Sequence, residues 1–123
     1  MKATEEIRMI LDGCKSGELD HEQEVYFCRT ARCVAGWKAT FDFEKEHGRY
    51  GTNEEVEDWA IKQVWGYNKE AEYGRLYNPT VWSYAEIAWG LPWDSSRVID
   101  LFGSTATFEQ QYEALARLEK EGY

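Results

Sequence analysis

Apolar residues recur three and four apart along much of the chain, the spacing of helices that bury one face. Near the start Ile7, Ile10, Leu11 and Cys14 share a face, with Thr4 as N-cap and Glu5 and Glu6 in a first turn whose dipole favours anions. This predicts a first helix over roughly 5–14, with Gly13 and Gly17 flanking its end. Residues 18–24 alternate acids with Leu19, His21 and Gln23, too polar for a packed element, and read as a loop or a short turn. From Thr30 to about Glu46 the pattern changes: Ala31, Cys33, Val34, Ala35, Trp37, Ala39, Phe41 and Phe43 fall around the whole helical wheel, which predicts a central helix covered on most sides. Gly36 inside it calls for the close approach of another helix, and Asp42, Glu44, Lys45 and Glu46 place its far end in solvent before His47 and Gly48 stop it.

Asn53 reads as the cap of a third helix whose first turn holds Glu54, Glu55, Glu57 and Asp58, a cluster the helix dipole explains, and whose Val56, Trp59, Ala60, Gln63 and Val64 repeat at three and four. Gly66 to Asn78 reads as irregular and Tyr-rich. Pro79 then opens a helix through Trp89 that Gly90 terminates and Pro92 confirms as broken. Asp94 or Ser95 caps a short helix carrying Val98, Ile99, Leu101 and Phe102 and ended by Gly103. Thr107 with Gln110 forms a capping box for a last helix with Phe108, Tyr112, Leu115 and Leu118 as its stripe. With no repeat, linker or low-complexity run, the expectation is all-α: one domain over 1–123, a bundle of five or six short helices around the helix at about 30–46.

Composition narrows the function. A length of 123 residues suits one domain, and 43% hydrophobic residues provide enough surface to bury for it to fold. A net charge of −9 repels phosphate backbones and anionic membranes, so direct nucleic-acid binding is not expected and basic partners are favoured. The sequence has no run of about 20 apolar residues, and its first six residues carry acids where a signal peptide carries bases. A cytoplasmic protein without a membrane partner is the expectation.

The densest local pattern runs from Cys28 to Trp37, with Cys28, Thr30, Cys33, Ala35, Gly36 and Trp37 as its fixed points. This string resembles the C-x-T-x-x-C-x-A-G-W signature of small, largely uncharacterised helical proteins of bacteria and their phages. Trp89-Gly90-Leu91 and Leu101-Phe102 stand where those proteins have a Leu-Gly-Leu-type helix end and a Leu-Phe helix end, so the resemblance covers roughly residues 19–120. It departs at Arg29, where Gly is usual, and at Trp89. It implies a helical fold and assigns no activity or cofactor.

Physically, Cys28 and Cys33 have several possible jobs. A disulfide is opposed by a reducing compartment, and positions five apart on a helix point ~140° apart. A zinc site would need His21 or Cys14 gathered from elsewhere, since C-x4-C lacks the usual tight knuckle. A nucleophilic thiol at Cys28, beside Arg29 and Arg32, would need His21 as its base, which sequence cannot place. Against these stands a structural role, with Thr30 capping the central helix and Cys33, Ala35 and Gly36 allowing tight packing. Glu44 and His47 form a single E-x-x-H without the second copy that di-iron sites use, and read as a solvated face. No phosphate-binding or zinc-hydrolase motif is present. No catalytic residue, metal or cofactor is therefore assigned.

The remaining signal is aromatic. Trp59, Trp65, Tyr67, Tyr73, Tyr77, Trp82, Tyr84, Trp89 and Trp93 crowd one region, and such rings either complete a core or dominate an interface. The sequence thus points to a small, non-enzymatic interaction module, a phage-type modulator of a host protein. Its expected partner surface combines Trp59, Trp65, Tyr67, Tyr73, Tyr77, Trp82 and Trp93 with Glu54, Glu55, Glu57 and Asp58. An acidic nucleic-acid mimic that blocks a basic DNA- or RNA-binding protein is the first alternative. A thiol- or metal-dependent enzyme built on Cys28, Cys33 and His21 is the second.

Overall fold

A computed structural model of the chain describes residues 2–20, 33–68, 80–91, 100–103 and 105–123, with the side chains of 67 and 68 excepted. The described elements are helices: α1 (Ala3–Ser16), α2 (Val34–His47), α3 (Asn53–Asn68), α4 (Val81–Trp89) and α5 (Phe108–Lys120), with a helical turn at 100–102 before α5. Among the described residues there is no strand.

Burial ranks these helices. Every residue from Cys33 to Thr40 is buried, so α2 is the central element, and it packs against α1, α3 and α4. The flank formed by α3 and α4 is closed by their mutual contact, while α5 lies on α1. The amphipathic outer helices each contribute one stripe: Ile7, Ile10, Leu11 and Cys14 from α1, Val56, Ala60 and Val64 from α3, and Ala114, Leu115 and Leu118 from α5. These stripes and the apolar residues of α2 and α4 join in one core, a compact all-helical domain.

Several boundaries differ from the sequence expectation, some for tertiary and some for local reasons. Thr4 is no cap: α1 starts after Lys2, and the buried Thr4 hydroxyl donates to the Tyr123 carbonyl at 2.6 Å, tying the first helix to residues beyond α5. As expected, α1 ends between Gly13 and Gly17, but at Ser16 rather than Cys14, with Gly17 in the left-handed C-cap and Leu19 folded back over Gly13. The central helix begins at Val34 rather than Thr30, and Cys33 occupies the cap, its Sγ accepting from the Gly36 N–H at 3.5 Å. Thr30 itself lies outside the described residues.

Thr52, not Asn53, caps α3: its hydroxyl accepts from the Glu55 N–H at 3.2 Å while the Glu55 carboxylate accepts from the Thr52 N–H at 3.1 Å. That helix continues through Gly66 to Asn68, and Gln63 on its repeating face is exposed. Thr80 caps α4 in a capping box with Ser83, so the helix opens after Thr80. The expected caps and residues of the short helix from 94 to 99, with Pro79 and Pro92, lie outside the described residues. Gly90 does end α4 and Gly48 ends α2, both at positive φ, which favours glycine. The capping box of Thr107 and Gln110 is present.

Candidate functional site

Two constellations of charged and aromatic side chains stand out, and α2 and α3 position them differently. The first is buried. Lys38 projects from the apolar middle of α2, its side chain only 8% exposed. Its Nζ donates to Glu6 of α1 at 2.7 Å and to Asp42, one turn along α2, at 3.1 Å. The same ammonium sits 5.2 Å from the centre of the Trp89 ring of α4. From α4, the Tyr84 hydroxyl donates to Asp42 at 2.5 Å, so one lysine gathers three helices. Burial, and then the hydrogen bond to Asp42, push the Tyr84 phenol upward, so it is protonated and donates. The placement of Asp42 corrects the expectation that it joins Glu44, Lys45 and Glu46 in solvent; the latter three are exposed.

This knot is fully paired inside itself. Its lysine faces two carboxylates, and its tyrosine faces one of them, so the arrangement fixes helix positions. Sequence reading missed it, although one signal was present: Lys38 is the lone charge within the apolar run that precedes Asp42, and it stands four residues from that acid.

The second constellation is the outer face of α3. On a helical wheel Glu54, Glu57, Asp58, Ile61 and Trp65 fall on one stripe. Glu54, Glu57, Asp58 and Trp65 are exposed and Ile61 is half-buried; Trp65 presents 48% of its surface. The side chains of Glu54, Glu57 and Asp58 make no ion pair with another described residue. Glu55 is different: Arg49 donates to it at 2.6 Å, and that bond, with the Thr52 N–H, holds its carboxyl down to about 2. Beside this face, a groove of about 590 Å³ between α3 and α4 is lined by Lys62, Gln63, Gly66, Tyr84, Ile87 and Ala88, among others.

The other expected surface rings divide. Trp59 is half-buried, tilted against Tyr84 at 5.3 Å and edge-on to Phe43 at 5.8 Å. Trp82 is half-buried against Phe102 at 5.7 Å, and Trp89 is buried against the same ring. Their rings pack against the core rather than forming an exposed aromatic sheet. Tyr73, Tyr77 and Trp93 lie outside the described residues, as does the side chain of Tyr67.

The thiols are placed for packing. Cys33 is buried as the cap of α2, and burial raises its thiol against the opposing pull of the Gly36 N–H. Burial, then the neighbouring Cys33, pushes Cys14 up to about 12. Both are protonated at neutral pH, the opposite of what a nucleophile needs. Ala35, Gly36 and Trp37 of the same motif are buried too, with the Trp37 indole donating to the Asp20 carbonyl at 2.9 Å. Cys28 and His21 lie outside the described residues. Among the described residues no group of three or more His, Cys, Asp or Glu side chains could hold a metal, and no helix is long and apolar enough to cross a membrane. Glu44 and His47 are exposed, the imidazole stacked on Phe43 at 3.9 Å.

A second hollow, of about 550 Å³, lies between α1 and α5 beside Asp12, Lys15, Ser16 and Tyr112. Its polar groups are engaged with one another: Tyr112 donates to Asp12 at 2.5 Å, and Lys15 lies 5.5 Å from the Tyr112 ring centre. Compared with models of protein families, with curated proteins and with solved structures, the chain matches none.

Proposed function

We propose that this chain is a small non-enzymatic protein-interaction module whose partner docks on the outer face of α3. The observation that carries the reading is the exposure of Trp65 on the same stripe as the exposed acids Glu54, Glu57 and Asp58. A tryptophan left half in water forgoes burial that the core could supply, and truncating such a ring within an interface commonly costs ~2 kcal/mol or more of binding. The resemblance of residues 28–37 to bacterial and phage proteins makes a bacterial host protein the partner to seek.

The acidic-mimic reading draws on the same three carboxylates and the net charge of −9. The two readings separate by salt, because binding through many charges weakens steeply with ionic strength while docking of a ring does not. The experiment is affinity capture from bacterial lysate by the wild-type chain and by Trp65→Ala, at low and high salt. A partner retained by the wild type at both salts and lost by the variant supports the interaction module. A partner that Trp65→Ala retains, but that salt releases, supports the mimic.

A further inference from the structure

The structure carries the interaction reading one step further, to the chemistry of the partner: we infer that the outer face of α3 takes a basic amphipathic helix that sets an apolar side chain on Trp65 and Ile61 and cations on Glu54, Glu57 and Asp58. The inference rests on the reading above. Three independent observations point to this occupant.

The first is charge. Glu55 is neutralised by Arg49, whereas its neighbours Glu54, Glu57 and Asp58 form no ion pair with another described residue and face outward together. The helix dipole accounts for acids in the first turn and does little for Glu57 and Asp58 in the second. A cationic partner complements all three. The second is spacing. From the Asp58–Glu54 end to Trp65 is seven to eleven residues, about 10–16 Å along the axis at 1.5 Å per residue. A partner helix laid along α3 therefore carries its basic side chains about two to three turns from its apolar anchor, on a single face.

The third is Gly66. It lies within α3, next to Trp65 and on the wall of the groove, and a Cβ there would meet nothing within 4 Å. Glycine weakens a helix relative to alanine, and here no neighbour among the described residues requires it. Gly66 lies about 100° around α3 from Trp65, off the stripe itself, so the missing side chain opens the flank of the outer face towards the groove. The groove beyond it offers room for a side chain of the incoming helix.

The probe is a synthetic amphipathic peptide with Leu at the anchor position and Lys or Arg two and three turns away on the same face, titrated calorimetrically into the intact protein. Two companion peptides carry Glu in place of the cations, or a proline in the middle. The wild type is expected to bind the basic helix and to bind both companions at least tenfold more weakly. Trp65→Ala, the double variant Glu57→Lys/Asp58→Lys, and Gly66→Gln, whose side chain enters open space, should each weaken binding roughly tenfold or more. Glu113→Lys, an exposed charge change on α5, should leave it unaltered. Circular dichroism verifies that each variant is folded.

Absence of binding by the basic helix, binding of the acidic peptide with equal strength, or full affinity in Trp65→Ala or Gly66→Gln would overturn the inference. If the basic helix does not bind while Trp65→Ala loses a partner captured from lysate, the interaction reading stands without this partner chemistry. If Trp65→Ala loses nothing from lysate, the interaction reading fails as well.

Discussion

The same residue types do opposite work in two parts of this molecule. Around Lys38, two acids, a lysine and a tyrosine are drawn out of water and paired with one another across α1, α2 and α4. On α3, three acids and a tryptophan stay in water, and the acids form no ion pair among the described residues. Burying an ion costs several kcal/mol unless a partner restores its interactions, so the first group is held in place by the need to stay paired. The second group contributes little to folding, because exposed charges interact weakly through water. What the fold does not use is available to a partner.

The largest expected effect is at the knot. Lys38→Ala leaves Glu6 and Asp42 facing each other, each with a side chain only 20% exposed, and should cost roughly 2–4 kcal/mol in urea unfolding. A loss no larger than that of a surface lysine would place the knot in solvent and erase the comparison. Next comes the joint that sets α3 against α2: Gly51 is buried, and a Cβ there would run into the Phe43 ring, itself held by His47 and Trp59. Gly51→Ala should therefore cost ~1–3 kcal/mol through overpacking, read as a lowered Tm.

Titration sharpens the contrast further. Cys14 keeps its proton more tightly when folded than at its ordinary 9.0, and Tyr84 likewise above its ordinary 10.0, so the stability they contribute is complete below those values. For Cys14 it is lost as pH rises from 9.0 through about 12; for Tyr84 the loss begins only above 10.0, and Tyr84→Phe should remove that part of the alkaline limb. Glu55 runs the other way: its depressed carboxyl contributes stability above 4.5 that is lost as pH falls towards about 2, and Arg49→Ala should flatten that limb. The smallest effect belongs to the outer face, where Glu57→Lys should shift unfolding by no more than about 0.5 kcal/mol. A large shift there would mean that the acids serve the fold.

Elements governed by local chemistry were legible in the chain. The capping box of Thr107 and Gln110 and the stop at Gly90 involve residues a few positions apart, and both stand as read. The all-round apolar pattern of α2 likewise announced the most buried helix. Some misses were local, the caps of α3 at Thr52 and of α2 at Cys33, and the others were distant. Thr4 looks like a cap until the Tyr123 carbonyl, 119 residues away, claims its hydroxyl. Gly66 looks like a breaker, but Val56, Ala60 and Val64 bury the face that carries α3 through it. For the site, composition announced too many aromatics without saying which stay in water. Trp59, Trp65 and Trp82 are alike in sequence, and packing against Tyr84 or Phe102 separates two of them from the third.

The central claim is that recognition lies on the outer face of α3, and amide chemical-shift mapping of the labelled protein with the basic amphipathic peptide tests it most directly. The account predicts shifts concentrated at Glu54, Glu57, Asp58, Ile61, Gly66 and the Trp65 indole N–H, with Asp12, Lys15 and Tyr112 between α1 and α5 undisturbed. Shifts clustered around Asp12, Lys15 and Tyr112, with α3 silent, would contradict it.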